Sequence, residues 1–291
     1  MIEGIVTVLK PPAMSSSDVV VDVRRIFSTK RVGHLGTLDP EAAGVLPVCV
    51  GRAVRLFDYL VDKQKTYLAE ITFGAATDTQ DAQGAVTETS EATVTEEKLD
   101  AVLLRFVGTI EQTPSKYSAL KYNGKKLYDL ALKGEEIPDK TRKVQIHSLK
   151  CTGTLGRNRF LIEVCCSRGT YIRTLCSDIG AALGVPAYMA FLLRTASGPF
   201  TLDGAFTIAE LEAMKAEGRL RDALTSCEEA AAFLPRLDLR ADRRKPAMNG
   251  LPTRTNAEDG LYRVYCGGFL GVGAVQNGDA TLKVHLYGEE V

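Results

Sequence analysis

A histidine and an aspartate stand five residues apart in Gly33-His34-Leu35-Gly36-Thr37-Leu38-Asp39-Pro40, within a stretch running to Pro47 that holds three glycines and two prolines. An imidazole and a carboxylate are groups that move protons or attack carbon near neutral pH. The segment is too broken for a helix or strand and too apolar for a disordered linker. Gly33, Gly36 and Gly44 admit positive φ or close backbone approach, and Pro40 keeps Asp39 out of the α region. The backbone is therefore expected to hold one carboxylate in a fixed, extended pose. The rival reading is a helix start, with Asp39 as N-cap and Pro40 at the first helical position.

Three further places carry chemistry. Between Lys116 and Lys143 eight basic residues face four acidic ones, a local net of +4, with Tyr117, Tyr122 and Tyr128 interleaved. Cations for phosphates and aromatic rings for bases are the ingredients of RNA-loop recognition; the rival is a solvated charged helix. Arg173 falls in the first turn of a helix opened by Ser167-Arg168-Gly169-Thr170-Tyr171, where a cation opposes the helix dipole by roughly 0.3–1 kcal/mol. That placement makes sense if a carboxylate faces it, and Asp39 is a candidate. Tyr67 lies on the apolar face of a strand; as a core residue it still needs a partner for its hydroxyl. P-loop, GxSxG, HExxH and GxGxxG motifs are absent.

These residues need a scaffold, and the chain can build one. Its 291 residues, 45% hydrophobic and 25% charged, suit a large globular domain with an appendage. Thirty-six basic residues cancel 36 acidic ones, so any polyanion must be met by local charge. Seven cysteines without a Cys-x-x-Cys and three scattered histidines argue against a disulfide framework or zinc site. Neither a signal-type N-terminus nor a membrane-length apolar run is evident, so a cytoplasmic protein is expected.

Patterning predicts strands over 4–9, 45–50, 65–73, 144–155 and 159–166, the last two turning at Gly156-Arg157-Asn158. Helices are expected over about 18–28, 52–61, 95–107, 170–183, 207–217 and 219–226, with a polar loop over 75–95. Strands and helices intermix without a βαβ repeat, which points to an α+β fold around a mixed or antiparallel sheet. From about 236 a basic patch (Arg236, Arg240, Arg243, Arg244, Lys245) precedes Gly-rich strands. That gives a domain over 1–235 and a small β-rich one over 236–291.

Taken together the motifs resemble the TruB family of tRNA pseudouridine synthases. Lys10-Pro11 with Ser16 and Asp18 looks like its N-terminal motif, and Gly33-His34 to Leu46-Pro47 like its catalytic motif. Lys65-Thr66-Tyr67, Gln112 to Tyr128, Ser167 to Arg173 and Leu192-Leu193-Arg194 follow in the family's order. The resemblance covers about residues 4–200 well and the rest weakly. It implies that Asp39 is the catalytic aspartate, Arg173 its ion-pair partner, and Tyr67 the ring that stacks on a flipped uracil. Leu192 would line the base pocket, His34 would hold the everted loop, and Lys10 would be a supporting cation. The region about 115–142, with Tyr117 and Lys121, would grip RNA, and the C-terminal part would be a PUA-like RNA-binding domain. Ala13, Val54, Leu132 and Leu193 depart from the usual pattern, and two arginines lost this way weaken the expected RNA contacts.

The implied reaction breaks the N1–C1′ bond of a T-loop uridine and re-forms the link through C5, with no cofactor or metal, on tRNA bound by a monomer. Attack on the sugar, addition to the base and abstraction of a sugar proton all remain open for Asp39. Flipping the base costs a few kcal/mol, and stacking can return about 1–3 kcal/mol. Two other readings compete: a tRNA-binding folding helper in which Asp39 only caps a turn, and a carboxylate hydrolase. The hydrolase requires a second acidic partner, for which the motif segment offers only Glu41.

Overall fold

The structure, a computed structural model, describes residues 2–61, 63–113, 121, 122, 125, 126 and 141–286. β1 (Gly4–Lys10), β2 (Val32–His34), β3 (Ala43–Val50) and β4 (Lys65–Phe73) lie in one ten-stranded sheet. Its path runs Leu224–Thr225, β1, β3, Ala187–Ser197, β4, Arg159–Cys166, Arg142–Gly156, Gly108–Gln112. Every neighbouring pair along that path is antiparallel except β3 with Ala187–Ser197, where Leu193 pairs with Ala43 and Arg194 with Gly44. The sheet is thus mixed, in an α+β fold as the patterning predicts.

β4 shows why the sheet forms. Lys65, Tyr67, Ala69, Ile71 and Phe73 are buried, while the residues between them are half-exposed, the period-two signature of a strand. Helices cover the buried face. α1 (Ser16–Ile26) opens on a capping box between Ser15 and Asp18 and buries Val19, Val20, Val23 and Ile26. The Ile172–Leu183 helix buries Ile172, Leu175, Cys176 and Ile179 and stops at Gly184, φ 68°.

A second sheet of five strands, ordered Arg236–Asp238, Gly260–Tyr265, Phe269–Gln276, Asp279–His285 and Thr253–Arg254, follows in the chain. Val272, Val284 and Leu286 pack with Ile5, Val45, Cys49 and Leu56, so the smaller sheet rests on the strands that carry the His34–Asp39 segment.

Several elements differ from the sequence reading. The 52–61 stretch is a 3₁₀ helix, Gly51–Leu56, followed by a single α turn, Phe57–Leu60. Only Leu220–Ala223 is helical (3₁₀) in 219–226, and Leu224–Thr225 then joins the sheet edge beside β1. The polar 75–95 stretch is not all loop: Ala75–Thr77 and Val86–Thr89 form a hairpin. Val32–His34 is a strand after all, paired with β3. Two long strands of the large sheet escaped prediction, Gly108–Gln112 and Ala187–Ser197. The second carries a register shift between Met189 and Phe191, and such a bulge breaks the alternation by which strands are recognised.

Candidate active site

Asp39 follows β2 on a loop that is neither strand nor helix. The Ala42 amide donates to the Asp39 carbonyl at 3.1 Å, closing a β-turn with Pro40 at its second position. No helix starts here, so the capping explanation of Asp39-Pro40 fails.

Other elements clamp this loop residue by residue. The Ser16 hydroxyl, 3% exposed, accepts from the Leu38 amide at 2.9 Å and donates to the Leu38 carbonyl at 3.0 Å. Lys10, fully buried at the end of β1, donates to the carbonyls of Pro40, Pro11 and Met14 at 2.7–2.8 Å. Arg194, 1% exposed, donates to the carbonyls of Val45, Thr37 and Gly36 at 2.7, 3.2 and 3.4 Å. Backbone groups on both sides of Asp39 are thereby engaged, and the carboxylate is left to point away.

Two glycines of the segment are required. Gly44 has φ 114°, and a Cβ there would lie 2.2 Å from the Arg194 carbonyl oxygen at the parallel junction. Gly36 has φ 112°, which side chains rarely adopt. Gly33 is a correction: its φ is not positive and a Cβ would meet nothing within 4 Å.

The carboxylate meets Arg173, whose Nε lies 3.1 Å from Asp39 Oδ2. Arg173 Nη1 also reaches Asp81 Oδ2 and the Thr79 carbonyl, both at 3.3 Å. A cation in the first turn of a helix is thus offset by two carboxylates. Asp81 sits in the hairpin loop that the sequence presented as ordinary polar loop. Its Oδ1 accepts from Thr79 Oγ1 at 2.6 Å and from the Gln83 amide at 3.1 Å, while Gln80 and Ala82 bond the Met189 backbone.

Tyr67, Leu192 and Arg194 share one sheet face. Tyr67 is the direct cross-strand partner of Arg194, and Leu192 lies two residues before it opposite Ala69. Burial pushes the Tyr67 phenol above its usual pKa, although the Arg194 guanidinium beside it works the other way. Tyr67 is therefore a neutral phenol at neutral pH. The His34 pKa is lowered by burial, aided by Arg194 and opposed by the Gly36 backbone, and its Nδ1 is buried without a hydrogen-bond partner among the described residues.

A cleft of about 420 Å³ joins these groups: His34, Asp39, Tyr67, Arg173, Leu192 and Arg194 all line it, with Tyr171, Arg168 and Arg142 at one side. That size lies within the about 300–1,000 Å³ range of small-ligand sites. Among the described residues that line the cleft Asp39 is the only carboxylate, and none of them offers the second acid that a hydrolase needs.

Some expectations move. Lys10 is buried beneath the loop with its three bonds made to carbonyls, so it braces the Asp39 loop and is closed off from solvent. The 236–245 patch is largely engaged within the protein: Arg236 pairs with Asp238, Arg240 with Asp242, and Arg243 and Arg244 bond carbonyls. Tyr117 and most of 115–142 lie outside the described residues, as does the Lys121 side chain. Sequence reasoning missed Arg194 and Asp81 as site residues. The signal for Arg194 was an arginine at an inward position of a strand, and the strand itself went unrecognised.

Comparison with known proteins agrees with this geometry. Residues 24–172 match the TruB family pseudouridylate synthase N-terminal domain, and residues 173–232 match the tRNA pseudouridylate synthase B C-terminal domain. The chain is 45% identical over 256 residues to tRNA pseudouridine synthase B of Bacillus pumilus (strain SAFR-032), covering 86% of this chain and 83% of that one. It is 39% identical over 289 residues to the protein of that name in Alkaliphilus oremlandii (strain OhILAs), covering 96% and 95%. A chain from an H/ACA RNP bound to a substrate RNA containing 2'-deoxyuridine shares the fold, with TM-score 0.75 at 22% identity over 99% of this chain and 86% of that one. With both family models matched in order along residues 24–232 and relatives this similar over most of its length, the chain belongs to the TruB family of pseudouridylate synthases.

Proposed function

We propose that this protein converts uridine to pseudouridine in the T-loop of tRNA, at position 55, acting on a nucleotide turned out of the loop. The observation that carries the reading is the Asp39–Arg173 ion pair at 3.1 Å, set in a cleft walled by Tyr67 and Leu192. A base within a folded loop is out of reach of Asp39, so the nucleotide must leave its stack. Tyr67 and Leu192 offer the uracil an aromatic and an aliphatic surface, and His34 supports the opened loop from the rim.

Arg173 pairs with the Asp39 carboxylate and holds it fixed toward the cleft. The chemistry exchanges one C–N bond for one C–C bond. The N1–C1′ bond breaks, the uracil turns, C5 bonds to C1′, the C5 proton departs and N1 gains a proton. Tyr67, a neutral phenol, cannot take the C5 proton unless it first loses its own, which leaves Asp39, directly or through water, as the stronger base. The +4 segment of 116–143 supplies phosphate attraction, and residues 236–291 form a PUA-like RNA-binding domain. The enzyme works in the cytoplasm as a monomer.

Unmodified tRNA carrying tritium at uracil C5 tests the reading. Wild type is expected to release tritium, and Asp39→Asn to release none while still binding the tRNA. Release by Asp39→Asn would remove Asp39 from the chemistry; free uracil as product would make the protein a hydrolase. Binding without release by wild type would leave it a folding helper. Transplanting the T-stem-loop alone as substrate checks the site of modification.

A further inference from the structure

Arg142 opens the Arg142–Gly156 strand opposite Gln112 and lies at the side of the cleft. Its guanidinium carbon sits 4.6 Å from the centre of the Tyr171 ring, a stacking contact. Its Nε and Nη2 are buried and have no hydrogen-bond partner among the described residues. Leaving buried donors unpaired is costly, most of all when they carry charge. The cleft's other cations differ. Arg173 is held by Asp39 and Asp81, Arg194 and Lys65 by carbonyls, and Arg168 has contacts of its own.

The two unpaired nitrogens are a matched set. Nε–H and Nη2–H point the same way along one edge of the guanidinium, the fork that grips two oxygens of one phosphate or carboxylate. The surroundings are built to present that fork. Gln112, 1% exposed, pairs with both backbone groups of Tyr171, donating to its carbonyl at 3.2 Å and accepting from its amide at 3.0 Å. The ring beneath Arg142 is therefore fixed from the strand next door. Gly169 has φ 86°, and a Cβ there would come within 3.2 Å of Arg142 Nη1, so its missing side chain leaves the guanidinium room to turn.

We propose that Arg142 is the receptor for a backbone phosphate of the RNA next to the everted nucleotide. In this structure the guanidinium is stacked on Tyr171 with its fork unsatisfied; when RNA enters, it turns off the ring and closes the fork on the phosphate. The inference rests on the RNA-substrate reading above, and it adds a residue that fixes the nucleotide's position through its backbone rather than its base. The occupant is an RNA phosphate and not a free anion because Arg142 lines the cleft that receives the base.

The test uses full-length protein and unmodified tRNA. Binding is measured across a salt series and C5 tritium release in single turnover, for wild type, Arg142→Met and Arg142→Lys. For Arg142→Met a roughly tenfold weaker Kd is expected, with the slope of log K against log salt reduced by about one. Arg142→Lys should recover the slope but not the full affinity, since an ammonium cannot form the fork. Wild-type affinity and slope in a folded Arg142→Met would overturn the proposal. So would loss of affinity with the slope unchanged in both variants, which marks a packing role. Competition by inorganic phosphate at matched ionic strength, relieved in Arg142→Met, would assign the fork to a free anion and also overturn it. A wild type that binds tRNA with this Arg142-dependent slope yet releases no tritium would sink the isomerase reading and leave the phosphate receptor standing.

Discussion

Lys10 Nζ donates to the Pro40 carbonyl at 2.8 Å, so the end of the first strand is tied to the residue directly after Asp39. The same ammonium holds Pro11 and Met14, and burial lowers its pKa from 10.5 to about 8, with Glu41 and Asp39 pulling the other way. A neutral amine has two N–H groups for three carbonyls. Between about 8 and 10.5 the unfolded chain binds the extra proton, so this group's contribution to stability rises with pH while its grip on the loop weakens. The single-turnover rate of wild type is expected to fall above pH about 8 without an Lys10-linked loss of folding stability. Lys10→Met should be slow at every pH and lack that alkaline limb; a wild-type limb preserved in Lys10→Met refutes the link.

Asp81 restrains Arg173 from the side opposite Asp39. In Asp81→Asn the guanidinium loses that restraint and the Asp39 carboxylate is less well aimed. A misplacement of about 1 Å can cost on the order of 10²-fold in rate, so the single-turnover rate should drop by that order. The Kd for tRNA should change little, because Asp81 does not line the cleft. An unchanged rate would show that the Asp39 contact alone fixes Arg173.

Gly44 and Gly33 stand in one motif and predict opposite outcomes. At Gly44, φ 114° and an Arg194 oxygen 2.2 Å from the Cβ position force the parallel junction apart. Gly44→Ala is expected to cost about 3 kcal/mol or more in denaturant unfolding, combining backbone strain with overpacking. Gly33→Ala, where a Cβ meets nothing within 4 Å, should fall within about 1 kcal/mol of wild type.

Asp178, on the Ile172–Leu183 helix, is raised by burial to about 6 from 3.8. Its folded form holds a proton that the unfolded chain has released, so between those values its contribution to stability falls as pH rises. Asp178→Asn should stabilise the protein at pH 7.5 by about 1–3 kcal/mol, the upper end being the full shift and the lower allowing for solvent screening. The gain should fade as pH approaches 4. A variant no more stable than wild type at pH 7.5 would show that the ionised carboxylate has an acceptable environment.

Sequence carried the site further than it carried the scaffold. Asp39 and Arg173 stood out because each broke a local rule, a carboxylate in a Gly- and Pro-broken apolar run and a cation against a helix dipole, whereas Tyr67 read as an ordinary core tyrosine until the family resemblance marked it. The structure joins Asp39 and Arg173 directly. Asp81 broke no rule, since an aspartate in a Thr- and Gly-rich turn is ordinary, and only the tertiary fold brings that turn to the helix. Arg194 was hidden by its strand, whose bulges at Met189 and Arg194 blur the alternation of buried and exposed positions. The 52–61 stretch has helical spacing of apolar residues and buries Ala53, Leu56 and Leu60 as that spacing expects, but its first part is 3₁₀ and only Phe57–Leu60 is α-helical.

The parallel seam at Gly44 and Arg194 has a consequence for how the protein comes into being. It joins residues 150 positions apart in sequence, and until it closes Arg194 cannot hold the carbonyls of residues 36, 37 and 45. Pairings of such long range form late, and a growing chain emerges from its N-terminus. Asp39 is thus made early but aimed last. A nascent or truncated chain ending before this seam has its carboxylate without its aim, so competence toward RNA arrives only with completion of the sheet.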